Sequence, residues 1–146
     1  DEGVHVKNRG RLSAGKHLRI GAYTSIETTE TGVVRIGDGV YFNRFCVIVA
    51  GQGTLTIGDH TAIGESVSIR TSNHDIRKDA LISSQATTGK DIAIGRDVWI
   101  GRGAVILPGA VIRDGAVIGA NSVVNSEIPE YAIAAGTPAV VKKVRL

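Results

Sequence analysis

Hydrophobic positions recur at a fixed interval through the second half of the chain. From Ile94 the sequence reads IGRDVW, IGRGAV, ILPGAV, IRDGAV, IGANSV, VN, so Ile94, Ile100, Ile106, Ile112, Ile118 and Val124 follow one another every six residues. Four positions after each stand Val98, Ala104, Ala110, Ala116, Ser122 and Ile128, mostly small. A helix repeats about every 3.6 residues and a plain strand about every 2, so neither yields a strict six. A short strand and a tight turn do, stacked as successive coils. Residues two apart in a strand share a face. Ala104 with Ile106, and Ala110 with Ile112, therefore point into a narrow core. Val105, Val111 and Val117 point outward and are expected to form a flat apolar face buried against another subunit.

The same period governs the first half, with breaks. Ile20 and Ile26 begin it; Thr28 to Gly32 interrupts. Ile36, Phe42 and Ile48 resume it; Ala50 to Gly53 interrupts. Ile57, Ile63 and Ile69 resume it again, and residues 70–91 then lack any period. Each break follows a third six, at 26, 48 and 69. If three sixes close one triangular coil, every insertion leaves from the same corner. The spacing predicts an all-β triangular prism of about five coils, forming a single domain over 1–146. An irregular cap or capping first coil occupies 1–16, a long excursion 70–91, and a departing tail 129–146.

Composition sharpens this picture. Nineteen glycines and 42% hydrophobic residues, with aromatics at 4%, fit a β-solenoid better than a conventional core. No apolar run reaches the roughly 18 residues of a membrane span. The chain opens with no secretory pattern, and its start at Asp1 rather than Met points to residues missing upstream. The lone Cys46 excludes an internal disulfide framework and fits a reducing compartment, so a cytoplasmic location is expected. The net charge of +3 is compatible with an anionic cofactor, but no basic patch interleaved with aromatics suggests nucleic acid.

Few residues offer chemistry. His74, in Thr71-Ser72-Asn73-His74-Asp75, stands at the root of the excursion. It reads either as a solvated loop histidine or as a general base, since a neutral imidazole takes the proton of a hydroxyl attacking a thioester. Asp75 points away from its neighbour in an extended segment and reads as a loop charge, or at most a substrate contact. His5, His17 and His60 read as surface. Trp99 holds an outward slot, which calls for a neighbour or a ligand. Cys46 falls at a small inward position and reads as core. Without a cysteine nucleophile, direct transfer is favoured over a covalent carrier. Lys142, Lys143 and Arg145 form either an ordinary basic tail or a phosphate-binding one.

The sixes, the segment IGRDVWIGRGAVILPGAVI and the ending SVVNSEIPEYAIAAGTPAVVKKV resemble the hexapeptide-repeat acyltransferases over nearly the whole chain. Within that family the chain is similar to the galactoside, maltose and surface-polysaccharide O-acetyltransferases. The resemblance implies a left-handed parallel β-helix; the left hand comes from the family alone, because ordinary crossovers are right-handed. It implies a homotrimer with sites between subunits, where His74 is the general base, Asn43 binds the acceptor and Trp99 lines the site. For coenzyme A it implies Ala120 on the pantetheine arm, Thr137 and Pro138 flanking adenine, and Lys142, Lys143 and Arg145 at phosphates. Departures accompany it: Asn125, at a coenzyme position, replaces a common threonine, Ser126 and Val140 replace basic residues, and Val49 to Gly53 lacks the family's carboxylate.

The implied activity is acetyl-CoA-dependent O-acetylation of a sugar hydroxyl in surface polysaccharide biosynthesis, with no metal and no membrane span. The alternatives are N-acetylation of an amino sugar, a non-catalytic scaffold, and a zinc hydratase similar to the γ-carbonic anhydrases. The last needs about three histidine-type ligands, and His74 has no histidine at short spacing.

Overall fold

A computed structural model describes residues 2–146. Asp1, with which the expected cap begins, lies outside the described residues. The chain winds through three sheets whose neighbouring strands, within each winding stack, all run parallel. Face A stacks His5–Asn8, Ser25–Thr28, Val47–Ala50, Ser68–Arg70, Val105–Ile106 and Val123–Val124. Face B stacks Arg11–Ala14, Gly32–Ile36, Gly53–Ile57, Ile92–Ile94, Val111–Ile112 and Glu127–Ile128. Face C stacks Arg19–Ile20, Tyr41–Phe42, Ala62–Ile63, Trp99–Ile100, Val117–Ile118 and Ala132–Ala135. One strand from each face makes a coil, and the coils number six.

The aliphatic of each six is the reason the stack holds register. Ile26, Ile48, Ile69, Ile106 and Val124 pair in sequence up face A. Ile36, Ile57, Ile94, Ile112 and Ile128 do so up face B, and Phe42, Ile63, Ile100 and Ile118 up face C. All of these are buried. Each fully buried aliphatic of this size contributes about 1.5–3 kcal/mol from apolar surface removed from water. A slip of one residue would turn the whole column to solvent.

Corners follow a second rule. At the corner between faces B and C one turn residue per coil takes a positive φ: His17, Gly39, His60, Asp97, Gly115 and Tyr131. The rings of His60 and Tyr131 lie back over the glycine of the coil below. A Cβ on Gly115, at φ +68°, would come within 2.3 Å of the Tyr131 ring, and one on Gly39 within 2.6 Å of the His60 ring. Glycine at these two positions therefore meets both the backbone angle and the close approach.

The sequence-based expectations need four adjustments. There are six coils rather than about five, because the expected cap folds. Within it, His5–Asn8 and Arg11–Ala14 pair in full register with the second coil. The tail does not depart at 129 either. Ala132–Ala135 completes face C, and Val140–Val144 returns antiparallel to it. The outward valines form no single face: Val105 lies on face A, Val111 on face B and Val117 on face C. The insertions do share a corner, as their spacing implied. Residues 29–31, 51–52 and 71–91 all leave between face A and face B.

Candidate functional site

The corner between faces A and B carries a groove of about 620 Å³, lined by residues that include Arg70, Ser72, Asn73, His74, Gln52 and Thr87. Its wall is a two-stranded ribbon, Ser72–His74 against Thr87–Gly89, with His74 opposite Thr87. The ribbon seats closely because Gly51 has no side chain; a Cβ there would stand 2.1 Å from the Ser72 hydroxyl. Beyond the ribbon, residues 77–85 are tied down by one side chain. Buried Gln85 accepts from the Arg77 amide at 2.8 Å and donates to the carbonyls of Arg77 at 2.8 Å and Ala80 at 2.9 Å. His74 is exposed, and its imidazole bonds no described residue. Asp75 lies at the ribbon's outer end, its amide bonded to the Ala86 carbonyl at 2.9 Å, and does not line the groove.

A second groove, of about 480 Å³, runs along face C towards its corner with face A. Trp99 stands over it, 59% exposed, between Ala62 and Val117 in register. Asn43 and Ala120 also line it, together with Glu65, Arg102 and the glycines Gly64, Gly101 and Gly119. The glycines leave a low floor suited to a slender chain. Asn43 has both polar ends engaged: its amide donates to Glu65 at 2.8 Å and its oxygen accepts from the Arg44 amide at 2.9 Å. Glu65 thus supplies a carboxylate beside Asn43 from the next coil. Sequence reasoning missed it, although the offset of 22 residues is one coil's advance at that corner.

The expected coenzyme residues divide. Thr137 and Pro138 form the turn after face C, fixed by Ala139 donating to the Val123 carbonyl at 2.8 Å. They sit above Ala120, at the same corner of the prism. Lys142 and Lys143 are exposed on the returning strand, Lys143 in register with Ile133. Asn125 lies apart, at the A/B corner of the last coil. Arg145 is committed elsewhere, bonding the Asp97 carboxylate at 3.0 Å and the Gly115 carbonyl at 2.9 Å.

In one chain, His74 is thus separated from Asn43, Trp99 and Ala120, since the A/B corner lies across the triangle from face C. Cys46 belongs to neither groove. It is fully buried, its thiol donates to the Gly64 carbonyl at 3.1 Å, and burial pushes its pKa up. The described residues gather no set of three His, Cys, Asp or Glu placed to hold a metal ion. No helix among them is long and apolar enough to cross a membrane.

Residues 91–126 match the family described as bacterial transferase hexapeptide, six repeats. The chain is 35% identical to a hexapeptide-repeat-containing acetyltransferase of Vibrio cholerae, with 89% of this chain and 72% of that chain covered and a TM-score of 0.80. A structure of the Vibrio cholerae O1 biovar eltor acetyltransferase complexed with acetyl coenzyme A aligns at 32% identity and TM-score 0.80, over 98% and 71% of the two chains. A maltose O-acetyltransferase of Clostridium difficile 630 aligns at 27% identity and TM-score 0.57, over 97% and 66%. The N-acyltransferase AntD of Bacillus cereus shares the fold at TM-score 0.88 and 21% identity, over 99% and 78%. A comparison with curated protein sequences gives no match.

Proposed function

The chain belongs to the hexapeptide-repeat acetyltransferases, and from that premise we propose that it moves an acetyl group from acetyl-CoA to a sugar hydroxyl with His74 as general base. The observation that carries the reading is the A/B groove. It sets an imidazole that bonds no described residue among polar side chains, in a space of about 620 Å³ that a sugar ring can enter. The low glycine floor of the face C groove and the exposed Lys142 and Lys143 fit a donor with a slender arm and phosphates. A homotrimer supplies the missing juxtaposition, with the A/B corner of one subunit against face C of the next. The apolar residues at the tip of the excursion, Ile76 and Leu81, are 81% and 77% exposed and suit such a contact.

In this arrangement His74 removes the proton from the acceptor oxygen as that oxygen bonds to the thioester carbon. The carbon–sulfur bond then breaks, and the imidazolium returns the proton to the departing sulfur. No group is oxidised or reduced, and no acyl group rests on the protein. Trp99 shields the thioester from water, and Lys142 and Lys143 hold the phosphate end.

Replacing His74 tests this. His74→Ala should lower kcat for acetyl transfer by about a hundredfold or more, while calorimetry with acetyl-CoA gives an unchanged dissociation constant. Retained turnover in His74→Ala overturns the assignment. Parallel reactions with amino sugars decide between oxygen and nitrogen acceptors.

A further inference from the structure

Within the proposed acetyl-transfer site one cation has no assigned role. Arg70 is the last residue of a face A strand and lines the same groove as His74. In the outward column of face A, Lys7, Glu27, Val49 and Arg70 follow one another in register. The neighbour below Arg70 is therefore apolar, and the nearest carboxylate of that column stands two strands away, about 10 Å at ordinary strand spacing. The carboxylate that lines the groove itself, Glu30, belongs to the second coil, also two levels down. Among the described residues the ion pairs are Arg113 with Glu127 and Arg145 with Asp97, so Arg70 is not in one.

Its surroundings are equally uncommitted. Thr24, Thr61 and Asn43 are bonded internally, to the Asn43 carbonyl, the Gly95 carbonyl and Glu65. The side chains of Ser72, Asn73 and His74 bond no described residue, and they line the same groove as Arg70. A guanidinium presents several donors in a planar fork that matches the two oxygens of a carboxylate or phosphate. Hydroxyl and amide groups beside it match a polyol. We propose that Arg70 sets acceptor specificity: the sugar that enters this groove carries an oxyanion, a carboxylate or a phosphate, near the hydroxyl presented to His74.

This inference rests on the groove being the acceptor site, and the test separates the two. Three sugars matched in ring are compared: methyl galactoside, galacturonate and galactose 6-phosphate. Binding to the intact protein and to its Arg70→Gln and Arg70→Lys variants is measured by calorimetry without donor; turnover is then measured with acetyl-CoA. At least one anionic sugar should bind about tenfold tighter than the neutral one. Arg70→Gln should abolish that preference, Arg70→Lys should keep part of it, and rising salt should shrink it. The carboxylate and phosphate arms identify which oxyanion fits. Equal affinity for neutral and anionic sugars, a preference that survives Arg70→Gln, or no binding of any of the three overturns the role of Arg70. An anionic sugar that binds through Arg70 but is never acetylated supports that role and overturns the transfer reading instead.

Discussion

Thr71 holds a hydroxyl in the core that bonds no described residue. It is fully buried, and it is the residue at which the chain leaves the prism for the excursion. Its backbone is satisfied, donating to the Val49 carbonyl at 3.2 Å and accepting from the Lys90 amide at 2.8 Å. The side chain alone therefore bears a desolvation cost of about 1–3 kcal/mol. Thr71→Val keeps the shape and removes the cost, so it should raise stability in urea denaturation by about 1 kcal/mol; a loss of stability would mean that the hydroxyl has a partner in solution. At this scale the sequence was partly legible. Cys46 and the aliphatic columns were placed inward by periodicity, because a residue two before an inward aliphatic shares its direction. The engagement of Asn43 by Glu65 and of Arg145 by Asp97 was not legible. Both pairs join residues on different coils, and side-chain rotamers rather than the repeat decide them.

Among the elements, the excursion differs from the coils in what stabilises it. A coil is held by two neighbours in register. The excursion has a short ribbon, then residues 77–85 held by the three bonds of Gln85 and a single turn over Ile82–Ser84. Gln85→Ala should thus loosen this segment without touching the prism. Amide exchange across residues 75–86 should quicken roughly tenfold or more, with exchange in the Ile106 and Ile112 strands unchanged. Uniform quickening would show instead that the excursion is part of the global fold. Periodicity announced the element by its own interruption, and the breaks after 26, 48 and 69 placed it at a corner shared with two shorter loops. The ribbon inside it escaped notice because Ser72-Asn73-His74 has no alternation of apolar and polar residues. The regularity of the first coil was hidden for a similar reason: Arg11, Lys16 and Arg19 dilute the apolar pattern where only one neighbour supports it.

For the whole molecule, the proposed site is divided between a corner and the face opposite, which makes assembly the central question. A trimer should sediment near three times the 15.3 kDa chain mass. Trp99, the single tryptophan and more than half exposed in one chain, should shift its emission to the blue on assembly, as water leaves its surroundings. A stable monomer with full transfer activity would overturn the divided site. The end of the prism carries one further consequence. A stack of identical coils has no inherent length: each open edge is a template for the next copy, the condition that drives fibre growth. Here Val140–Val144 lies across the final edge in the reverse direction. A further coil added on face C would therefore meet a strand that runs against the winding. The returning strand thus acts as a chain terminator for face C, where the next copy of the repeat would otherwise stack in register.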